Sequence, residues 1–484
     1  MARFSPLMAS LPLLISLMSA TFQAQANNQL PDIGTAGVAA LPIEQEVRYG
    51  NAFMRFARAG LPIIDDPVLS EYIDDLGQRL LTNADGVRFP FTFFLINDPS
   101  INAAAFLGGR VKVHTGLFLY ADNESELASV LAHEITHVTQ RHIARYMEAQ
   151  ASSSAMTLAG LVGSIALAVI NPTAGIAALQ TTLGLSMQSA INYTRDNEYE
   201  ADRIGMKTLY DAGFDPMGMA SFFQKLAAEY RYASKPPEML LTHPLPETRI
   251  SEARARAGSY GRRALPPSLD FWLAKVRIQV RYGTESPQAL LTYFDSRLQK
   301  GDYPLKDAAT YGKALALLQL KRTDEADTLM QSLAARHPED LFVVDALTDI
   351  DLAKGRSAQA IARLERFRTR MPDNEVVVVN LGNAYLEGGN YQKSIAILDP
   401  YAREHDENSL AWSLLSDAYR KAGRMTDLHM ARAETLSLRG DYQAAIDELI
   451  VARGTTSDKL TLARIEARIT QLERAKKDLD SLKG

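Results

Sequence analysis

Two histidines in the first half of the chain have the spacing of metal ligands. His133 and His137 are four residues apart, so on a helix they lie one turn apart on the same face and can offer two imidazole nitrogens to one ion. Glu134 is rotated off that pair but adjacent to it, where its carboxylate can act as a general base toward water. This H-E-x-x-H spacing indicates a zinc hydrolase; the alternative is an exposed helix with two unrelated histidines.

A third ligand is required, because a catalytic zinc has three protein ligands and one open position. Glu198 is the candidate, and Asp202 lies one turn further along the same predicted helix. Asp202 can accept the N–H of a ligating histidine and fix its tautomer, whereas Glu200 points away from that face and is predicted to be a solvated charge. Two imidazoles with a carboxylate favour one zinc ion per chain over magnesium or calcium, which prefer oxygen ligands.

Two predicted helices must bring these side chains together. The first spans residues 121–146, with Asn123 as the N-cap and Glu126 in the position of a capping box. The second spans residues 192–210 and carries the acidic pair. His142 follows the second ligand by five residues, which on a continuous helix rotates it away from the ligand face, so we interpret it as a structural residue.

A further histidine, His243, lies in a loop that contains two prolines and ends at Arg249. It could be an ordinary loop residue ahead of a helix that begins near Glu247. Alternatively, its neutral imidazole could reach the open zinc position or steady the oxyanion during turnover. As a fourth ligand it would displace water and hold the enzyme inactive. Arg249 could anchor the loop or bind a substrate carboxylate, and the sequence leaves both roles open.

The two motifs together resemble peptidase family M48, a family of zinc metallopeptidases. The likeness extends to the neighbouring segments 126–134 and 200–203, whereas segment 102–109 lacks the proline that many members carry. The resemblance implies that Glu198 is the third ligand, that Asp202 supports a ligating histidine, and that the domain has an α+β fold of the zincin type with a small sheet.

The same resemblance bears on two further segments. Residues 110–114 alternate with period two and predict a strand, which by the resemblance borders the active cleft. An extended substrate could then add to the edge of this strand, against Val111 and Val113; the alternative is an ordinary strand with His114 merely exposed. Related chains carry a similar His-Pro…Arg segment, which favours a role at the site for His243.

The second half of the chain repeats every thirty-four residues, which is the period of tetratricopeptide repeats. Gly355, Gly389 and Gly423 keep this spacing, and each permits a tight turn between two helices. A second register holds small residues where helices approach closely: Ala326, Ala360 and Ser394. About four units, followed by a less regular end from residue 441, predict an all-α solenoid that serves as an interaction platform.

The N-terminus predicts export to a bacterial periplasm. Residues 7–20 are almost wholly apolar and residues 24–26 have the form of a signal-peptidase site, so cleavage is predicted after Ala26; the alternative is a retained membrane anchor. The chain of 484 residues contains no cysteine, which excludes disulfides and thiolate metal sites. Its formal net charge of −5 argues against a nucleic-acid binder that relies on bulk positive charge.

We therefore predict a mainly α chain with two domains. The predicted parts are a signal peptide at 1–26, a peptidase domain at 27–264, connecting helices at 265–306 and the repeat domain at 307–484. Between the two motifs, residues 156–185 are apolar and predict either two buried helices or a mobile lid that makes peripheral contact with a membrane.

The whole chain resembles bacterial members of the family that act in outer-membrane protein quality control. This implies a periplasmic zinc endopeptidase whose substrates are unfolded or stalled outer-membrane proteins, with the repeats docking on the barrel-assembly machinery. The alternatives are a non-catalytic chaperone or adaptor that uses the repeats, and an integral-membrane protease anchored by the apolar insert.

Overall fold

The computed structural model describes residues 41–149, 187–231 and 237–481, together with Gly160 and Gly163. The predicted signal peptide lies outside these residues, and so does the apolar insert apart from the two glycines. Among the described helices, none combines the length and the apolar character that crossing a membrane requires.

The first half of the described chain is a three-stranded sheet surrounded by helices, as the resemblance predicted. Its strands are β1 Thr92–Ile96, β2 Ala103–Phe106 and β3 Arg110–His114, with a short 3-10 turn at Leu107–Gly109. Its helices are α1 Ile43–Gly60, α2 Pro67–Leu81, α3 Thr115–Tyr120, α4 Glu124–Thr139, α5 His142–Ala149, α6 Met187–Asp211, α7 Met217–Tyr230, α8 Glu238–Thr242 and α9 Glu247–Tyr260.

β3 is the middle strand of the sheet, so the prediction that substrate adds to its edge is wrong. β1 pairs with β3 in parallel and β2 pairs with it antiparallel. Val111 and Val113 are fully buried and cannot contact a substrate. His114, the exposed residue of the alternative interpretation, is also buried, with Nδ1 2.9 Å from the hydroxyl of Ser100. Alternating residues occur in central and edge strands alike, so the pattern did not distinguish them.

The first predicted helix begins as expected but is interrupted. The Asn123 side chain accepts a hydrogen bond from the Glu126 N–H at 3.1 Å, and the Glu126 carboxylate accepts one from the N–H of Asp122, one residue before the cap. α4 ends at Thr139, because Arg141 adopts φ 53°, in the left-handed region. The predicted helix over residues 121–146 is therefore two helices, α4 and α5.

A glycine allows α6 to lie close against α4. A Cβ atom on Gly205 would stand 3.1 Å from backbone atoms of Ala132 and His133, so no larger residue fits without moving one helix. This close approach brings the carboxylates of α6 within reach of the histidines of α4.

The second half of the described chain consists of helices that pack in pairs. α10 Leu269–Tyr282 and α11 Pro287–Lys300 are the predicted connecting helices. The repeat helices are α12 Lys306–Gln319, α13 Thr323–Arg336, α14 Leu341–Ala353, α15 Ser357–Arg370, α16 Glu375–Glu387, α17 Tyr391–Glu404, α18 Ser409–Lys421, α19 Met425–Leu438, α20 Tyr442–Gly454 and α21 Lys459–Ser481. Eight of these, α12 to α19, form four regular pairs, as the period predicted.

The turn within each repeat depends on a left-handed residue. Gly355, Gly389 and Gly423 have φ of 69°, 76° and 71°, the conformation that glycine adopts without steric cost. The first repeat has Lys321 at the same register, with φ 60°. The turn geometry is thus kept in that repeat although the glycine is not.

The repeats pack directly on the first half of the chain. One hydrophobic cluster runs from α2 and α4 through α10 into the repeats, and it includes Leu69, Leu131, Phe271 and Phe342. A buried guanidinium lies in the same contact, where Arg277 on α10 donates to Asp66 Oδ2 at 2.7 Å and lies 2.7 Å from Asp345 Oδ2 on α14. Apolar and charged contacts therefore both join the two halves.

The contact between α4 and α6 predicts the effect of a larger residue at Gly205. Gly205→Val should lower the free energy of unfolding by about 1–3 kcal/mol, because the larger side chain must push the backbones of α4 and α6 apart. Chemical denaturation would measure the loss. Gly258→Val on α9 is the control, since nothing lies within 4 Å of its added Cβ. Equal denaturation midpoints for the two variants would contradict the assigned packing.

Candidate active site

Four side chains converge in a buried cluster. His133, His137, Glu198 and His243 offer ligand atoms that all lie within 4.8 Å of one another. His133 Nε2 is 3.0 Å from His137 Nε2, 3.3 Å from His243 Nδ1 and 3.4 Å from Glu198 Oε2. The Glu198 carboxylate also lies 3.3 Å from His137 Nε2 and 3.0 Å from His243 Nδ1. Helices α4 and α6 and the loop after α8 therefore meet at one point.

These separations suit a single metal ion. Ligand atoms about 2.0–2.1 Å from a tetrahedrally coordinated ion stand about 3.3 Å apart, and the five separations given above are 3.0–3.4 Å. The predicted donors His133, His137 and Glu198 are thus brought together, and His243 joins them. Of the two interpretations of His243, the structure excludes an ordinary loop residue away from the site.

Glu134 lies at the edge of this cluster and is almost completely buried. Its Oε2 accepts a hydrogen bond from the N–H of Ala105 at 2.8 Å. Its Oε1 lies 3.4 Å from His243 Nε2 and accepts no hydrogen bond from the described residues. Burial raises the pKa of this carboxyl group above its ordinary value. One carboxylate oxygen is therefore fixed by β2 while the other is directed toward the cluster.

Asp202 and Arg249 form hydrogen bonds with the predicted ligands. The Asp202 Oδ1 atom is 3.0 Å from His133 Nδ1, where the carboxylate can accept that N–H and leave Nε2 free to ligate. Arg249 is 2% exposed. It donates to Glu198 Oε2, to both Asp202 oxygens and to the carbonyl of Pro244, at 2.6–2.8 Å.

The contacts of Arg249 decide between its two predicted roles. A guanidinium that is buried and bonded to two carboxylates and a loop carbonyl cannot bind the carboxylate of a substrate at the same time. Arg249 is therefore an anchor for Glu198, Asp202 and the segment next to His243, and the substrate-binding role is wrong. The sequence motif did not show that the side chain turns inward from α9.

The histidines of the metal-free cluster differ in pKa. Burial alone would lower the pKa of His133, but hydrogen bonds to Asp202 and Glu198 outweigh it and raise the pKa to about 10. For His137 burial dominates and lowers the pKa to about 3. Burial would raise the pKa of Glu198, yet the adjacent His243 and His133 hold it well below its ordinary value. A metal ion must therefore displace a proton from His133.

His142 is in contact with the cluster, and Glu200 is in contact with His142, contrary to the sequence interpretation. His142 Nδ1 lies 2.8 Å from Nδ1 of His137, and His142 Nε2 lies 3.1 Å from Glu200 Oε2. Glu200 also pairs with Arg145 at 2.7 Å, so it is not a solvated charge. The interpretation of His142 was wrong because it assumed that one helix continues from His137 to His142, whereas the chain turns at Arg141.

An apolar pocket adjoins the cluster. The lining residues are Val130, Phe223, Leu226, Met239, Leu240 and Leu245, beside Ser129, His133, His243 and Arg249. Most of this lining comes from α4, α7 and α8, so the pocket opens between the ligand helix and the segment that carries His243. Its accessible volume of about 10 Å³ is comparable to that of a single water molecule, so the pocket does not admit a side chain in this conformation.

Comparison with known protein families supports both the peptidase resemblance and the repeats. The profile of peptidase family M48 matches residues 67–257, and two tetratricopeptide repeat profiles match residues 308–340 and 351–418. The M48 resemblance and the repeats are thereby confirmed, as is a mainly α fold with a small sheet. The domain limits 27–264, 265–306 and 307–484 remain predictions.

Individual relatives extend over both halves of the chain. A beta-barrel assembly-enhancing protease of Yersinia pestis is 50% identical over 340 residues, 70% of each chain. One of Escherichia coli strain K12 is 46% identical over 345 residues, 71% of each chain. A Vibrio cholerae relative is 54% identical over 322 residues, 66% of each chain. The matched stretch thus spans about two thirds of the relatives' own length.

The anchoring role of Arg249 predicts a loss of stability when its charge is removed. Arg249→Met should lower the free energy of unfolding of the metal-free protein by about 3–5 kcal/mol, because two carboxylates stay buried without their partner. Arg254→Met, at an exposed position on the same helix, should change it by less than about 0.5 kcal/mol. Similar denaturation curves for both variants at neutral pH would contradict the anchoring role.

Proposed function

Because this chain belongs to peptidase family M48, and within it to the beta-barrel assembly-enhancing proteases, we propose that it is a periplasmic zinc-dependent endopeptidase that degrades misassembled outer-membrane barrel proteins. The observation that carries this proposal is the convergence of two histidines, a carboxylate ligand and a separate buried carboxylate, Glu134, at one point.

His133, His137 and Glu198 would hold the metal. Two imidazole nitrogens and a carboxylate suit zinc better than magnesium or calcium, so we assign one zinc ion per chain. When bound, zinc would act as a Lewis acid that polarises the scissile carbonyl and acidifies water. Asp202 would accept the Nδ1–H of His133 and so leave the Nε2 lone pair available to the metal.

Glu134 is the proposed general base. Its Oε1 would take a proton from the attacking water and then pass it to the leaving amine, while the bond from Ala105 to Oε2 keeps the carboxylate in place. The pKa of Glu134, raised by burial, favours such a transfer, since a base with a higher pKa holds the proton more readily. His243 would either occupy the fourth ligand position at rest or steady the oxyanion.

The outer edge of β2 replaces that of β3 as the proposed substrate edge. Among the described residues β2 pairs only with β3, and its other edge approaches Glu134 through Ala105. An extended segment that paired with β2 would lie next to the general base, held by main-chain hydrogen bonds that do not depend on its sequence. Unfolded barrel strands have this extended character.

The repeats would recruit partners. The relatives are named for barrel assembly, and stacked helix pairs form extended binding surfaces, so we propose that the repeat half contacts the barrel-assembly machinery. The second candidate is a chaperone or adaptor that needs no catalysis, which the extent of the repeats favours. Incubation with an unfolded barrel protein, with and without a metal chelator, separates the two, because only cleavage requires the metal.

Exchange of the general base tests the mechanism. Glu134→Gln should retain the metal and lower the cleavage rate of an unfolded barrel protein by at least about 10²–10⁴-fold, because the amide cannot accept the proton. Gel-based cleavage assays and metal analysis would measure both properties. Glu252→Gln, an exposed position on α9, should cleave at the parental rate. A Glu134→Gln protein as active as the parent would refute the assignment.

The raised pKa of His133 predicts a pH-dependent metal affinity. Below about pH 10 the metal-free His133 carries a proton that the ion must release, so zinc affinity should rise with pH, about tenfold per unit between pH 6 and pH 8. Competition against a chelator of known pH dependence would measure this slope. Asp202→Asn removes the hydrogen bond that contributes most to raising the pKa, so the slope should flatten; a pH-independent parental affinity would exclude the proton exchange.

A further inference from the structure

We propose that His142, held by Glu200, is a positioning residue that fixes the tautomer and orientation of His137 as a metal ligand. The inference rests on the proposed function, in which His137 binds zinc. It adds to that function an orienting partner for the second histidine of the motif.

The contacts form a chain that leads away from the cluster. His137 directs Nε2 toward Glu198 and His133, at 3.3 Å and 3.0 Å, and its other nitrogen, Nδ1, lies 2.8 Å from His142 Nδ1. The second ring nitrogen of His142 lies 3.1 Å from Glu200 Oε2. The two imidazole rings meet edge to face, with an interplanar angle of 84°.

Metal binding by His137 determines the direction of two hydrogen bonds, the one between His137 and His142 and the one between His142 and Glu200. A histidine that binds a metal through Nε2 carries its proton on Nδ1, so His137 must donate to His142. His142 Nδ1 is then the acceptor, its proton lies on Nε2, and that N–H donates to Glu200. The reverse direction would place a proton on His137 Nε2, where it would block the metal. Because the Glu200 carboxylate can only accept a hydrogen bond, it favours this direction in the metal-free protein as well, and the ligating tautomer is selected before the ion arrives.

The backbone break at Arg141 makes this contact possible. Five residues along a continuous helix would rotate His142 away from His137, but the left-handed Arg141 starts a new helix and turns the ring back. A buried ion pair supports the break, since Arg141 Nε donates to Glu46 Oε1 at 2.8 Å and its NH2 group donates to the carbonyl of Leu41. Such a conformation in a residue other than glycine persists only where the surroundings enforce it.

The first ligand is supported in the same way, which argues that the contact is functional. Asp202 accepts from His133, and Glu200 supports His137 through His142. Both carboxylates lie on α6, two and four residues after Glu198. One helix thus provides a ligand, the partner of His133 and the carboxylate that holds His142. Outer partners of ligating histidines commonly contribute about 10–100-fold to metal affinity.

Zinc affinity of the full chain, measured by chelator competition, tests the proposal. His142→Leu should weaken zinc binding by about 10–100-fold, because the acceptor for His137 is lost. His142→Asn should recover most of that loss, since its Oδ1 can occupy the place of Nδ1 and accept the same proton. Glu200→Gln, at a partly exposed position, should give a smaller loss. His429→Leu is the matched control, because that histidine also contacts a carboxylate, Glu448, at 2.6 Å.

A second readout separates positioning from folding. In zinc-loaded protein labelled with 15N-histidine, His137 should show a protonated Nδ1 in the parent and in His142→Asn, and a weakened or exchanging signal in His142→Leu. The melting temperature of each metal-free variant reports its fold. Zinc affinities of folded His142→Leu and Glu200→Gln that equal that of the parent would overturn the inference, and so would a His142→Asn protein as weak as His142→Leu.

Failure of the proposed function itself would look different. In that case the parent would bind no zinc, or Glu198→Gln would bind it as tightly as the parent, whatever occupies position 142. The role of His142 would then fall together with the ligand assignment. Tight zinc binding by the parent, with loss in Glu198→Gln, leaves the His142 variants to decide the inference alone.

Discussion

Buried negative charge is the constraint on which this site depends. Glu134, Glu198 and Asp202 are almost inaccessible to solvent, and a buried carboxylate is unstable unless charged or donating groups surround it. Arg249 and the histidines compensate Glu198 and Asp202, whereas Glu134 accepts a hydrogen bond from the backbone N–H of Ala105 and faces His243 Nε2 at 3.4 Å. The guanidinium that neutralises the two carboxylates also holds the carbonyl of Pro244, so the compensation of charge fixes the loop that carries His243.

The second half of the chain is attached to this site by packing rather than by a linker. The core that surrounds α4 continues through α10 into the first repeats, and Arg277 connects Asp66 at the start of α2 with Asp345 in the repeats. A buried guanidinium with two carboxylates is costly to separate. Docking and cleavage, if the repeats bind partners, would therefore take place on one continuous body.

Helical spacing made much of this protein predictable. The ligand candidates on α4, the pair on α6, the N-cap at Asn123 and the left-handed glycines of the repeats all follow from regular intervals along a helix. The prediction failed where the interval was interrupted or where two elements had to be placed side by side. Arg141 breaks the helix before His142, and the pairing of β3 on both edges cannot be deduced from its own residues.

The sequence by itself determined which side chains can share a helix face, because that property depends only on residues a few positions apart. It thereby indicated His133, His137 and Glu198 as donors and the repeat architecture of the second half. The tertiary structure decided which strand lies at the edge, that Arg249 points inward and that His142 meets His137. These features depend on close approach between segments that are distant in sequence, such as the contact of Gly205 with α4, and no local pattern specifies them.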